Sequence, residues 1–137
     1  MKKLLLIAAL PALIYAIPFP ITTEELQRLN NLDANVSILL QRVAENKDLA
    51  LAPIRLAEIT SLAEQLCVQF DKDPEKKFLA PIFIKGISPE IRIATGALND
   101  FQYYTSETER QAHRVRLVTA LGRASGLVQT LYILKNN

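Results

Sequence analysis

From Thr22 onward the chain places Leu26, Leu29, Leu32, Val36, Leu39 and Val43 at spacings of three and four residues, the repeat of one face of an α-helix. A strand cannot use that repeat, because its side chains change face at every residue. Thr22 and Glu25 stand ahead of the stripe in the form of a capping box, in which each side chain bonds the other's backbone N–H. The spacing predicts a helix from there to about Leu51, where Pro53 either ends it or opens the next.

The same period returns three times. Ile59, Leu62, Leu66 and Phe70 mark a second helix from Ile54 to about Phe70, and the run Asp71-Lys72-Asp73-Pro74-Glu75-Lys76-Lys77 then reads as a solvated loop. The apolar segment 78–87 contains Pro81 and Gly86 and is expected to be a buried connection with one helical turn. Ser88-Pro89-Glu90 reads as a helix start, with Ile91, Thr95, Leu98 and Phe101 continuing the stripe to about Tyr104. Ser106 and Glu109 repeat the capping-box pattern ahead of a last helix from Glu107 to Leu134. On that helix Gly122 and Gly126 lie one turn apart, where missing side chains would let another helix approach. No window alternates as a strand does, and no Asn-Gly or Asp-Gly hairpin signal occurs. The fold class expected is all-α, a bundle of about four helices.

Met1-Lys2-Lys3, the apolar run from Leu4 to Tyr15, and the small residue Ala16 form a signal-peptide pattern with cleavage after Ala16. The run is about a dozen residues and holds Pro11, short of the roughly 20 that span a bilayer. The expected organisation is therefore a cleaved leader, residues 1–16, and one helical domain, residues 17–137, exported to a periplasm or secreted without a stable membrane anchor. Losing Lys2 and Lys3 from the 16 basic residues leaves 14 against 14 acidic ones. Without a net positive field, nucleic acid is not an expected partner. One cysteine and one histidine cannot supply a disulfide or a tetrahedral zinc site.

Helical phase singles out three polar residues. Arg55 lies four residues before Ile59, Gln102 lies four after Leu98, and Arg42 sits between Leu39 and Val43 at the flank of the first stripe. One reading is structural: the arginines lay their methylenes along the core edge, and Gln102 satisfies a backbone group. The other is convergence on a small planar anion, which guanidinium forks match bidentately. Weaker signals are His113 among Arg110 and Arg114, Cys67 as a buried small hydrophobe, and Tyr103-Tyr104 as core or rim packing. Asp71, Asp73 and Glu75 lack the glycine and closing glutamate of a calcium loop.

The segment Leu39-Leu40-Gln41-Arg42-Val43-Ala44-Glu45-Asn46-Lys47-Asp48-Leu49-Ala50 resembles the first-helix signature of the helical chorismate mutases, particularly their exported subclass. Leu32-Asp33 before it is similar to the family, as is Gly86-Ile87-Ser88-Pro89-Glu90 through Phe101-Gln102-Tyr103. The likeness implies a Claisen rearrangement of chorismate to prephenate, with no cofactor, no metal and no covalent intermediate. It places Arg42 on the carboxylate-binding arginine and Gln102 on the residue that bonds the ether oxygen. The family's lysine position counts onto Pro53, leaving Arg55 as the nearest cation, and Ser61 with Gln65 stand where an Arg-x-x-x-Gln pattern belongs. The resemblance is thus to a divergent mutase, with chorismate as its small dianionic substrate. The alternative reading is a non-catalytic periplasmic or secreted helical binding protein, engaging a second copy or a protein partner through its last helix with its tyrosines and glycine pair.

Overall fold

A computed structural model describes residues 19–47 and 49–136. The expected leader and Asp48 of the Asp48-Leu49-Ala50 motif lie outside the described residues. Four long helices carry the fold: α1 (Thr23–Ala44), α2 (Ala52–Lys72), α3 (Ser88–Tyr103) and α4 (Glu107–Leu134). Each helix packs on the next in sequence, and α4 returns against α1 to close an all-α bundle.

The capping box at the start of α1 is present on both sides: Glu25 N–H donates to Thr22 Oγ1 at 3.1 Å, and Thr22 N–H donates to Glu25 Oε1 at 3.0 Å. Leu29, Leu32, Val36, Leu39 and Val43 are buried, as their spacing requires, whereas Leu26 is half-buried. The helix stops at Ala44, well before Leu51, because Asn46 takes the left-handed conformation at φ 55°. Lys47 N–H then bonds Arg42 C=O at 2.9 Å and Asn46 N–H bonds Val43 C=O at 3.1 Å. That pair of bonds is a Schellman C-cap, with asparagine tolerating a backbone most residues avoid.

Segment 78–87 is more helical than expected. A 3₁₀ turn (Lys77–Leu79), one α turn (Ala80–Ile82) and a π turn (Phe83–Ile87) run without interruption into α3. Ser88 therefore caps nothing; its backbone is already helical. Pro89 supplies a reason for the wide turn, since a proline ring clashes with the carbonyl four residues back in regular α geometry. At Gly86 a β-carbon would meet Leu127 Cδ1 at 2.8 Å, so the π turn touches α4 most closely there.

Helix α4 has the bounds its sequence pattern indicated, but Ser106 makes no side-chain cap bond. By length and mean hydropathy it is long and apolar enough to cross a membrane; in the bundle, Leu117, Leu121, Val128 and Leu131 face the core. Two short strands absent from the sequence reading close the ends: β1 (Phe19–Pro20) pairs in parallel with β2 (Lys135–Asn136), Phe19 opposite Lys135. Segments of two residues have no period to read. Phe19 is fully buried, edge-on to Phe70 at 5.8 Å and to Phe78 at 6.5 Å.

Candidate functional site

Arg42 occupies the last turn of α1 and Arg55 the first turns of α2, with the Schellman turn between them folding the two helix ends together. Both arginines line one cleft of about 40 Å³, with Leu39, Leu49, Leu51 and Ala52 as its apolar wall. Arg42 is exposed and Arg55 is half-buried. The inner nitrogen of Arg55, Nε, is buried and has no hydrogen-bond partner among the described residues. A buried donor without a partner costs on the order of 1–3 kcal/mol, so something that accepts a hydrogen bond is favoured at this place.

The acidic residue nearest in sequence to Arg42 is otherwise engaged. Glu45 accepts from Gln41 Nε2 at 3.0 Å and lies 3.4 Å from Lys47 Nζ. The Gln41 hydrogen bond, then Lys47, hold its carboxyl below the usual carboxylate range, with Arg42 adding only a weak through-space pull. Neither cleft guanidinium forms an ion pair among the described residues. The cleft also sits at the N-terminus of α2, which has no acidic residue in its first turn and no side-chain cap on Leu51. The partial positive charge of that helix end adds to the two arginines.

Gln102 is not part of this arrangement. It lies on the exposed side of the last turn of α3, off the cleft, rather than pointing into the bundle. The buried set of α3 is Ile91, Ala94, Ala97, Leu98 and Phe101, centred on Ala94. Each four-residue step from Leu98 drifts about 40° from that centre, and Gln102 is carried past the edge. Ser61 and Gln65, in the region of the family's Arg-x-x-x-Gln pattern, are exposed and bonded to each other at 2.9 Å.

Several signals have structural roles instead. Arg114 donates to the Val43 and Ala44 carbonyls at 2.9 and 3.2 Å, closing the C-terminus of α1. His113 Nδ1 accepts from the Arg116 guanidinium at 2.9 Å, and its ring stacks on Tyr104 at 5.1 Å. Asp73 Oδ1 accepts the Glu75 N–H at 2.9 Å and Asp73 Oδ2 lies 3.7 Å from Lys76, so it staples its loop. Among the described residues no three His, Cys, Asp or Glu side chains gather as metal ligands would. Tyr103 and Tyr104 form an exposed edge-on pair, not core packing. A β-carbon at Gly122 or Gly126 would meet nothing within 4 Å, so among the described residues no helix uses those gaps.

Sequence reasoning missed a larger concavity of about 600 Å³ between α2 and α3. Its only sequence trace is a set of small and hydroxyl residues, among them Thr60, Ala63, Thr95 and Gly96, at helical spacing. Comparison with known proteins finds no matching family model, no similar curated protein and no similar solved structure.

Proposed function

We propose that this chain is an exported, non-catalytic helical binding protein that takes one anionic group between Arg42 and Arg55. The observation that supports it is two guanidinium groups that have no carboxylate partner among the described residues, one with a buried Nε that has no partner among them, lining a single cleft. Guanidinium forks match a carboxylate in two directions at once. About 40 Å³ suits one such group, against the roughly 300–1,000 Å³ of sites that enclose a whole small molecule. Chorismate would leave its ring and second carboxylate in water.

The mutase reading is second, favoured by the same sharing of one cleft by Arg42 and Arg55. Its chemistry needs confinement away from water and a donor at the ether oxygen as charge develops there. An exposed Gln102 outside the cleft meets neither need.

Chorismate added to the purified protein, followed by loss of its ultraviolet absorbance, separates the two. The binding reading expects no turnover, together with amide NMR shifts around Val43 and Leu51–Leu56 on adding acetate, at a Kd on the order of millimolar. Those shifts disappear in the Arg42→Ala/Arg55→Ala double variant. Turnover that is lost in Arg42→Ala and in Gln102→Ala establishes the mutase instead. Neither turnover nor shifts rejects both readings.

A further inference from the structure

The concavity between α2 and α3 is independent of the arginine cleft and shares no residue with it. Its floor is apolar: Ala63 and Ile91 are buried, and a β-carbon on Gly96 would meet nothing within 4 Å. Because Ala63 and Gly96 carry so little side chain, the two helices leave space there rather than interlock. At about 600 Å³ that space has the size of small-molecule sites.

Its rim has a definite polarity. Glu64 stands on α2 and Arg92 on α3, both exposed, both lining the concavity, and neither paired among the described residues. Opposite charges that face one space without closing on each other leave complementary positions for a ligand carrying both signs. The two threonine hydroxyls of the lining are already committed as donors. Thr60 Oγ1 donates to Leu56 C=O at 2.8 Å, and Thr95 Oγ1 donates to Ile91 C=O at 2.9 Å, so each has only lone pairs left to offer. Beside Glu64, those acceptors favour a group rich in N–H donors.

We propose that this groove binds a small zwitterion of short-peptide size, with its ammonium at Glu64, its carboxylate at Arg92 and an apolar middle over Ala63 and Ile91. The span from Ser88 to Asn99 along α3 is about 16 Å at the helical rise, and three extended residues reach about 10 Å. A tripeptide therefore fits within the groove's length.

The test titrates the isotope-labelled protein with trialanine, N-acetyl-trialanine and trialanine amide, read at the backbone amides. Trialanine is expected to shift Ala63, Thr95 and Gly96, with Kd weakened about tenfold when either end is blocked. Glu64→Gln is expected to bind trialanine and its N-acetyl form equally, and Arg92→Gln to bind trialanine and its amide equally. Both charges are exposed and unpaired among the described residues, so neither exchange disturbs packing. Gly96→Leu fills the open space at Gly96 and is expected to abolish binding while far-ultraviolet circular dichroism stays unchanged. Absence of shifts at these amides, blocked peptides that bind as tightly as trialanine, or discrimination that survives in Glu64→Gln and Arg92→Gln overturns the proposal. Shifts confined to the Arg42–Arg55 cleft do the same, while leaving the function proposed for that cleft intact.

Discussion

Lys76→Met removes a cation from the protein interior while keeping the length and most of the volume of the lysine stem. Lys76 Nζ lies 2.6 Å from Glu25 Oε1, and both side chains are 5% exposed. The contact ties the turn after α2 to the first turn of α1, across 51 residues of sequence. A buried ion pair contributes little net stability against apolar replacements, because desolvation offsets attraction; the large cost appears when one partner alone is removed. In Lys76→Met, Glu25 keeps the Thr22 N–H as a partner but loses its counter-charge. That places the cost at the low end of the 3–5 kcal/mol range, about 3 kcal/mol. At about 4 °C per kcal/mol for a chain of this length, Tm falls by about 12 °C. The double variant Glu25→Gln/Lys76→Met removes both charges and keeps an acceptor for Thr22 N–H, so it is expected within about 1 kcal/mol of the parent, about 2 kcal/mol more stable than Lys76→Met alone. Urea and thermal unfolding followed by circular dichroism give all three values. A loss below about 1 kcal/mol in Lys76→Met, or a double variant no more stable than the single, refutes the reasoning.

Phe19→Ala deletes a fully buried ring held edge-on by Phe70 and Phe78 and is expected to cost about 3–5 kcal/mol in urea unfolding. Gly122→Ala and Gly126→Ala place a methyl in open space on a helix, so each is expected to stabilise by about 0.5–1 kcal/mol, read as a raised Tm. Cys67 is half-buried, and burial first, then the negative charge of Asp71, push its thiol above the usual value. It is expected to react with a disulfide reagent at neutral pH more slowly than free glutathione does. As pH rises through the ordinary thiol range the unfolded chain ionises before the folded one, so this group's contribution to stability falls in alkali.

The parts legible in the sequence are those fixed by local rules. The α1 stripe and its capping box depend on neighbours within four residues, and α4 keeps the bounds its period gave even though Ser106 supplies no cap. The C-terminus of α1 was misjudged because Pro53 is the louder breaker, whereas the stop is made by Asn46, whose left-handed conformation was a quieter signal. Segment 78–87 was misjudged because proline and glycine count against helix locally, while packing sustains it as 3₁₀, α and π turns in succession. At the candidate site, phase placed Arg42 and Arg55 near the core edge, and the turn at Asn46 brought them to one cleft. Phase failed for Gln102, where a four-residue step was extended beyond the centre of the buried face. The groove between α2 and α3 was not legible at all, since it depends on the separation of two helices and not on either one's pattern.

The most direct test of anion capture between Arg42 and Arg55 observes the Nε–H NMR signal of Arg55, the buried donor without a partner among the described residues, while acetate or its uncharged analogue acetamide is added. A saturable shift with acetate and none with acetamide is the expected result, absent in Arg42→Ala. A signal that stays in place, or that moves equally with acetamide, contradicts the assignment.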